Sequence, residues 1–183
     1  MITRETNIVG AVVVEGKANT DNRGSFSRFF CENMLAKIIG ERRIIQINHS
    51  QTKTVGAVRG MHFQYPPHAE LKIVRCIRGR VWDVLIDLRK GSPTFMRWHA
   101  EELSSETSNM LVIPEGCAHG FQVMEPDSEL LYLHTAAYNP SAEGALRYDD
   151  PQFAICWPLP VTDLSARDKT HALLSSHFTG IEI

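Results

Sequence analysis

Arg59, His62 and Lys72 are the residues whose types and spacing first suggest chemistry. Arg59 and His62 stand in Val58-Arg59-Gly60-Met61-His62-Phe63-Gln64, and Lys72 follows eight residues after Gln64. A second cluster, Ile113-Pro114-Glu115-Gly116-Cys117-Ala118-His119-Gly120-Phe121, adds His119. An imidazole near a guanidinium and an ammonium can remove a proton and stabilise the negative charge left behind. Tyr132, within Glu129-Leu130-Leu131-Tyr132-Leu133-His134, carries a hydroxyl able to serve as the acid. Each residue also has a plain structural reading. A lone strand histidine is usually a hydrogen-bonded structural group, a lysine a surface charge, and a tyrosine a core aromatic.

Strand parity weighs these readings. Alternation puts His62 with Gly60 and Gln64 on one face and Arg59 with Met61 and Phe63 on the other. Arg59 joins His62 only if the strand bulges or twists near Gly60, a residue that permits it. Lys72 alternates with the apolar Val74 and Cys76, which turns the ammonium inward. Tyr132 shares its face with Leu130 and His134. Ser165-x-x-Asp168 has the spacing of a capping box. A carboxylate used that way could not easily orient His62 as well.

The elements that must position these groups are short strands. Ile73–Ile77 and Val81–Leu88 are expected to form a hairpin around Arg78-Gly79-Arg80. In the second of these strands Trp82, Val84, Ile86 and Leu88 share one face, and Asp83, Leu85 and Asp87 the other. Further strands are expected over Phe95–Leu103, Asn109–Pro114, Gly120–Met124 and Glu129–Thr135. Helix is confined to Glu32–Gly40, with Gly40 as its stop, and to a turn from Ala166 to about Leu174. So many strands with so little helix indicate a sandwich or barrel, whose mouth commonly holds a small-molecule site.

Composition bounds the class. The 183 residues suit a single domain, 1–183, with a helical extension from about position 164. With 43% hydrophobic and 22% charged residues the chain can build a core, and a net charge of −2 argues against a broad nucleic-acid surface. Cys31, Cys76, Cys117 and Cys156 are widely spaced, as expected of reduced thiols in a cytoplasmic protein. No apolar run approaches the roughly 20 residues of a membrane span.

Pro114-x-Gly116-x-x-His119 resembles the second motif of the cupin superfamily. In metal-binding cupins that histidine is a ligand beside a His-x-His and a downstream glutamate. Here Phe63-Gln64 follows His62, Lys72 would oppose a metal, and His68 and Glu70 stand off the metal spacing. The expectation is a cupin-type jelly-roll β-barrel, all-β with a few short helices, and no metal or other cofactor.

Longer motifs narrow the resemblance. Asp21-x-Arg23-Gly24, Arg59-Gly60-Met61-His62-Phe63-Gln64, Asp83-Val84-x-x-Asp87-Leu88-Arg89 and Ser92-Pro93-Thr94-Phe95 occur in that order. Pro114-Glu115-Gly116-x-Ala118-His119-Gly120-Phe121, Asp149-Asp150-Pro151 and Trp157-Pro158 follow. Over nearly its whole length the chain resembles the dTDP-4-dehydrorhamnose 3,5-epimerases, metal-free cupins acting on nucleotide-linked 4-keto-6-deoxy sugars in deoxysugar biosynthesis. The resemblance implies His62 as base, paired with Asp168, Tyr132 as acid and Lys72 beside the enolate oxygen. It implies that Arg23, Arg59 and His119 hold phosphate and sugar oxygens. Gln46, Asn48, Glu143 and Arg167 fall at ligand-contacting positions, and Tyr138 at one that stacks on the base. It further implies a homodimer whose N-terminal segment, around Arg23, reaches into the neighbour's site. At position 28, a ligand-contacting site where the family carries an acid, this chain has Arg28. That departure leaves open the nucleotide; the sugar is open as well, and the base and acid residues do not show whether C3, C5 or both are inverted. A metal-dependent cupin oxygenase and a non-catalytic sugar-binding cupin are the readings from other classes.

Overall fold

The computed structural model describes residues 2–183. Its strands are β1 (Ile2–Glu5), β2 (Val12–Glu15), β3 (Asn19–Asp21), β4 (Gly24–Phe26), β5 (Gln46–Thr52), β6 (Val58–Gln64), β7 (Lys72–Arg78) and β8 (Arg80–Asp87). They continue with β9 (Trp98–Ser104), β10 (Asn109–Ile113), β11 (Cys117–Val123), β12 (Ser128–His134) and β13 (Glu143–Ala145). The helices are α1 (Glu32–Ile39) and α2 (Ala166–Thr170). Six strands form one antiparallel sheet in the order β1-β2-β10-β7-β12-β5, and five form a second in the order β13-β6-β11-β8-β9. β3 and β4 make a separate exposed hairpin.

The alternating patterns of the strands fold into three apolar layers. Val13, Val74, Cys76, Leu111 and Leu130 of the larger sheet meet Val81, Leu85, Leu103, Phe121 and Val123 of the smaller one between the two sheets. This closed pair of sheets is the cupin-type jelly roll expected from the sequence. The other face of the smaller sheet, with Val84, Ile86 and Leu88, is covered by Phe153, Trp157, Phe178 and Ile181 from the C-terminal segment. The other face of the larger sheet, with Ile73, Val112 and Leu133, is covered by α1. Leu35 and Ile39 carry α1 onto that face, and burying each contributes about 1.5–3 kcal/mol. Gly40, at a φ of +60°, ends the helix as expected.

The hairpin expected around Gly79 is not formed. β7 pairs with β10 and β12, whereas β8 pairs with β11 and β9, so the chain steps from one sheet to the other at Gly79. One residue between two strands is too short for the two-residue turn that a hairpin favours. Both edges of each strand are also taken by other partners. α2 stops at Thr170, short of the expected Leu174.

The bulge near Gly60 is present. His62 pairs with His119 and Arg59 with Phe121, three steps on β6 against two on β11. Gly60 has a φ of +119°, and a Cβ there would lie 2.5 Å from the Gly120 Cα and 2.7 Å from the His119 carbonyl oxygen. Gly60→Ala should therefore cost about 2–5 kcal/mol, from backbone strain plus overpacking. Thermal unfolding would check this, and an unchanged midpoint would show that the two backbones can part without penalty.

Candidate active site

A cavity of about 780 Å³ opens between the sheets. The smaller sheet sends in Arg59 and His62 from β6 and His119 from β11, and the larger sends in Lys72 from β7 and Tyr132 and His134 from β12. Asn48, His49 and Ser50 from β5 and Arg167 and Asp168 from α2 also line it. A recess of about 160 Å³ shares Asn48, His62, Lys72 and His134 with it and adds Gln46, Tyr138 and Glu143. Eleven of the thirteen residues singled out from the sequence thus line one connected space.

Arg23 and Arg28 lie outside that space. Arg23 sits in the turn of the β3–β4 hairpin, 85% exposed and paired with Asp21 at 2.6 Å. Arg28 is exposed, its guanidinium 3.6 Å from the Met34 sulfur. The buried Arg75 holds this stretch down: its guanidinium stacks 4.0 Å over the Phe29 ring and donates to the Arg28 carbonyl at 3.5 Å.

Four histidines line the cavity, each backed by a carboxylate: His49 meets Glu129 at 3.0 Å, and the other three are less exposed. His62 Nε2 lies 2.8 Å from Asp168 Oδ1, which leaves Nδ1 as the unpaired ring nitrogen. Burial is the largest single influence on Asp168 and works against ionising it, but the hydrogen bond and charge of His62, with hydrogen bonds from Ser165 and the Gly60 backbone, together hold the carboxyl below the usual carboxylate range. The Asp168 carboxylate is directed at His62 and is not used to cap its own helix. Ser165 Oγ accepts from the Asp168 backbone N–H at 3.0 Å, which caps α2 and leaves the carboxylate free for His62.

His119 Nε2 lies 3.0 and 2.9 Å from the two oxygens of Asp83, which is fully buried. Burial pushes the Asp83 carboxyl up, with His119 pulling against it. His134 Nδ1 is 2.7 Å from Glu70 Oε2, and the other oxygen of Glu70 is 3.1 Å from Lys72 Nζ. Lys72 therefore enters the cavity already paired. Alternation foretold its inward direction, but nothing in the sequence pointed to Glu70 as its partner, because Glu70 lies in the loop before β7.

Tyr132 faces His62 from the opposite sheet, and its hydroxyl is 2.9 Å from Ser50 Oγ. Burial pushes the phenol well up, so it holds its proton until a strong base appears. Tyr138 donates to Glu143 Oε2 at 3.0 Å, Arg167 donates to the other Glu143 oxygen, and the Tyr138 backbone N–H donates to Gln46 Oε1 at 3.0 Å. His68, weighed as a metal ligand, instead meets the Asn139 side chain at 2.9 Å. Among the described residues, no group of three possible metal-ligand atoms includes both His62 and His119.

Burial alone would raise the Glu70 carboxyl, yet its bonds to His134 and Lys72 hold it below the usual value of 4.5. A depressed carboxyl stabilises the fold above its unfolded value and loses that contribution as pH falls through the folded one. Glu70→Gln should cost about 3–5 kcal/mol at pH 7, as expected when one partner of a buried pair is removed. The gap from the parent should begin to narrow below the usual value of 4.5 and close only once pH has fallen through the lower value of folded Glu70. Thermal melts at pH 7 and through the acid range test this. A gap of constant size would mean that the carboxylate charge contributes nothing.

Comparison with known proteins agrees with this geometry. Residues 5–176 match the family model of dTDP-4-dehydrorhamnose 3,5-epimerase. The enzyme of that name from Salmonella typhimurium is 40% identical over 176 residues, 95% of this chain and 96% of its own. The crystal structure of the Bacillus anthracis enzyme of the same name, with TDP and pyrophosphate bound, superposes with a TM-score of 0.91. It is 32% identical, over 94% of this chain and 99% of that one. A 3'-monoepimerase from Streptomyces bikiniensis in complex with dTDP-quinovose gives 0.83 at 30% identity, over 90% and 83% of the two chains. A barrel with a carboxylate-backed histidine facing a buried phenol, matched along nearly its whole length, places this chain in the dTDP-4-dehydrorhamnose 3,5-epimerase family of isomerases.

Proposed function

We propose that the protein inverts C3, C5 or both of a nucleotide-linked 4-keto-6-deoxyhexose, with proton transfer as its only chemistry. The observation that carries this reading is the placement of His62 and Tyr132 on opposite sheets across one cavity, with Asp168 behind His62. Carbons 3 and 5 flank the C4 ketone, so removing either proton gives an enolate with its charge on the C4 oxygen.

His62 takes that proton through Nδ1, because Asp168 accepts the hydrogen on Nε2 and so fixes the tautomer. The carboxylate also stabilises the imidazolium that forms. Lys72 lies beside the enolate oxygen, and its pairing with Glu70 keeps the ammonium in place at the cost of part of its field. Tyr132 then gives its proton to the opposite face of the carbon. One proton leaves the sugar and one arrives, so the sugar keeps its composition while the centre inverts. His62 and Tyr132 return to their starting states by exchange with solvent, and Ser50 gives the phenol a polar contact for that step.

Arg59, His119 and Arg167 suit phosphate and sugar oxygens, and Gln46, Asn48, Tyr138 and Glu143 frame the recess that would take the nucleotide base. Arg23 and Arg28 reach such a ligand only from a second copy of the chain, which supports a homodimer that exchanges its N-terminal hairpins. Free thiols at all four cysteines suit a cytoplasmic enzyme. The second reading is inversion of a single centre. It draws on the similarity to a monoepimerase, because the shared fold supports either count of centres.

Proton NMR of candidate 4-keto-6-deoxy nucleotide sugars in deuterated water reads each exchanging position. His62→Asn should abolish both inversion and deuterium entry. Asp168→Asn should lower turnover strongly with nucleotide affinity near that of the parent. Tyr132→Phe keeps the ring but removes the acid, so exchange with retained configuration should outlast inversion, the latter falling about 10²–10⁴-fold. Normal inversion by Tyr132→Phe would remove the phenol from the pathway. Exchange at only one carbon in the parent protein would establish the single-centre reading.

A further inference from the structure

His171 takes no part in the reaction just described, yet it stands behind the base. It follows directly on α2, and its Nε2 is shut off from solvent without a hydrogen-bond partner among the described residues. That nitrogen lies 3.6 Å from Asp168 Oδ1, the oxygen that sits 2.8 Å from His62 Nε2. The His62 and His171 rings meet edge-on, 83° apart in plane, with centroids separated by 6.0 Å. One ligand atom from each of His62, Asp168 and His171 lies within 4.8 Å of the other two. An orphaned imidazole nitrogen aimed at a carboxylate that already holds a second imidazole is a set of two nitrogen donors and one anionic oxygen. Zn²⁺ takes such sets at about 2.0–2.2 Å, with water in a fourth position, so closing the site requires only small side-chain shifts.

We propose that His62, Asp168 and His171 form an inhibitory site for a divalent transition metal of the Zn²⁺ type. The proposal rests on the epimerase reading for its effect on turnover, though not for the binding itself. A metal on His62 Nε2 takes the lone pair there, and the single ring hydrogen of the neutral imidazole must then sit on Nδ1. Nδ1 is the nitrogen that faces the substrate, so the base is lost while the barrel and the cavity stay intact. Asp168 exchanges its hydrogen bond for a metal bond, and His171 gains the partner it lacks. Mg²⁺ and Ca²⁺ prefer shells of six or more oxygens and are not expected to bind. The donor set does not include His119, and so differs from a catalytic cupin metal centre.

The test uses the full chain freed of metal by a chelator. Calorimetric titration with Zn²⁺ should give one site, with turnover falling at least tenfold as it fills, recovering with chelator and untouched by Mg²⁺. Co²⁺ should bind with the intense visible absorption of a four-coordinate ion. His171→Gln removes one ligand and leaves His62 and Asp168 in place. It should weaken Zn²⁺ and Co²⁺ binding at least tenfold, with metal-free turnover and melting temperature unchanged. Equal Zn²⁺ affinity in parent and His171→Gln would overturn the site, as would Zn²⁺ bound without loss of turnover. A metal-free His171→Gln as slow as Asp168→Asn would also overturn it, by making His171 a positioning residue for the dyad. Calorimetry and the cobalt spectrum read the site even in a chain with no epimerase activity, which separates failure of this proposal from failure of that reading.

Discussion

The cavity depends on how closely β6 and β11 approach at Gly60 and Gly120. A Cβ on Gly60 would collide with the Gly120 backbone, and one on Gly120 would lie 2.5 Å from the Met61 sulfur. Without side chains at either position the two strands can press together and shift register by one residue. That shift breaks the alternation that would send Arg59 and His62 to opposite faces. Both then reach one space, His62 opposite His119 on the neighbouring strand and Tyr132 on the facing sheet.

Once polar groups are gathered between two sheets, their charges must be compensated, because an unpaired buried ion is costly. The chain does this locally, with Asp168 on His62, Asp83 on His119, and Glu70 on both Lys72 and His134. Each pairing sets a direction as well as a charge. Asp168 fixes which nitrogen of His62 is basic, and Glu70 fixes where the Lys72 ammonium sits. Tyr132 is the exception, a buried phenol whose one hydrogen-bond partner among the described residues is the Ser50 hydroxyl. Its reluctance to ionise suits the acid role proposed for it.

The C-terminal segment closes the site while covering a sheet. Phe153, Trp157, Phe178 and Ile181 bury the other face of the smaller sheet, and the same segment brings Ser165, Arg167 and Asp168 over the start of β6. The Val58 backbone N–H donates to the Asp163 carbonyl at 3.0 Å, which ties the two stretches together. Apolar packing thus positions α2, and α2 delivers the carboxylate.

Alternation along each strand was enough to read much of this from the sequence. It turned Lys72, Val74 and Cys76 inward, grouped Trp82, Val84, Ile86 and Leu88 on one face, and set Tyr132 beside His134, all as observed. The family motifs carried the rest of the site, since they name residues directly. Alternation says which face a side chain takes but not which strands lie side by side. For that reason β7 and β8 read as a hairpin although each had its partners elsewhere in the chain. The pairings of Glu70 with His134 and of Asp83 with His119 join residues 64 and 36 positions apart, and that of Asp168 with His62 spans 106. No local pattern encodes such distances: the family resemblance named Asp168 for His62, and only the closing of two sheets around one core determined that Asp83 met His119 and Glu70 met His134.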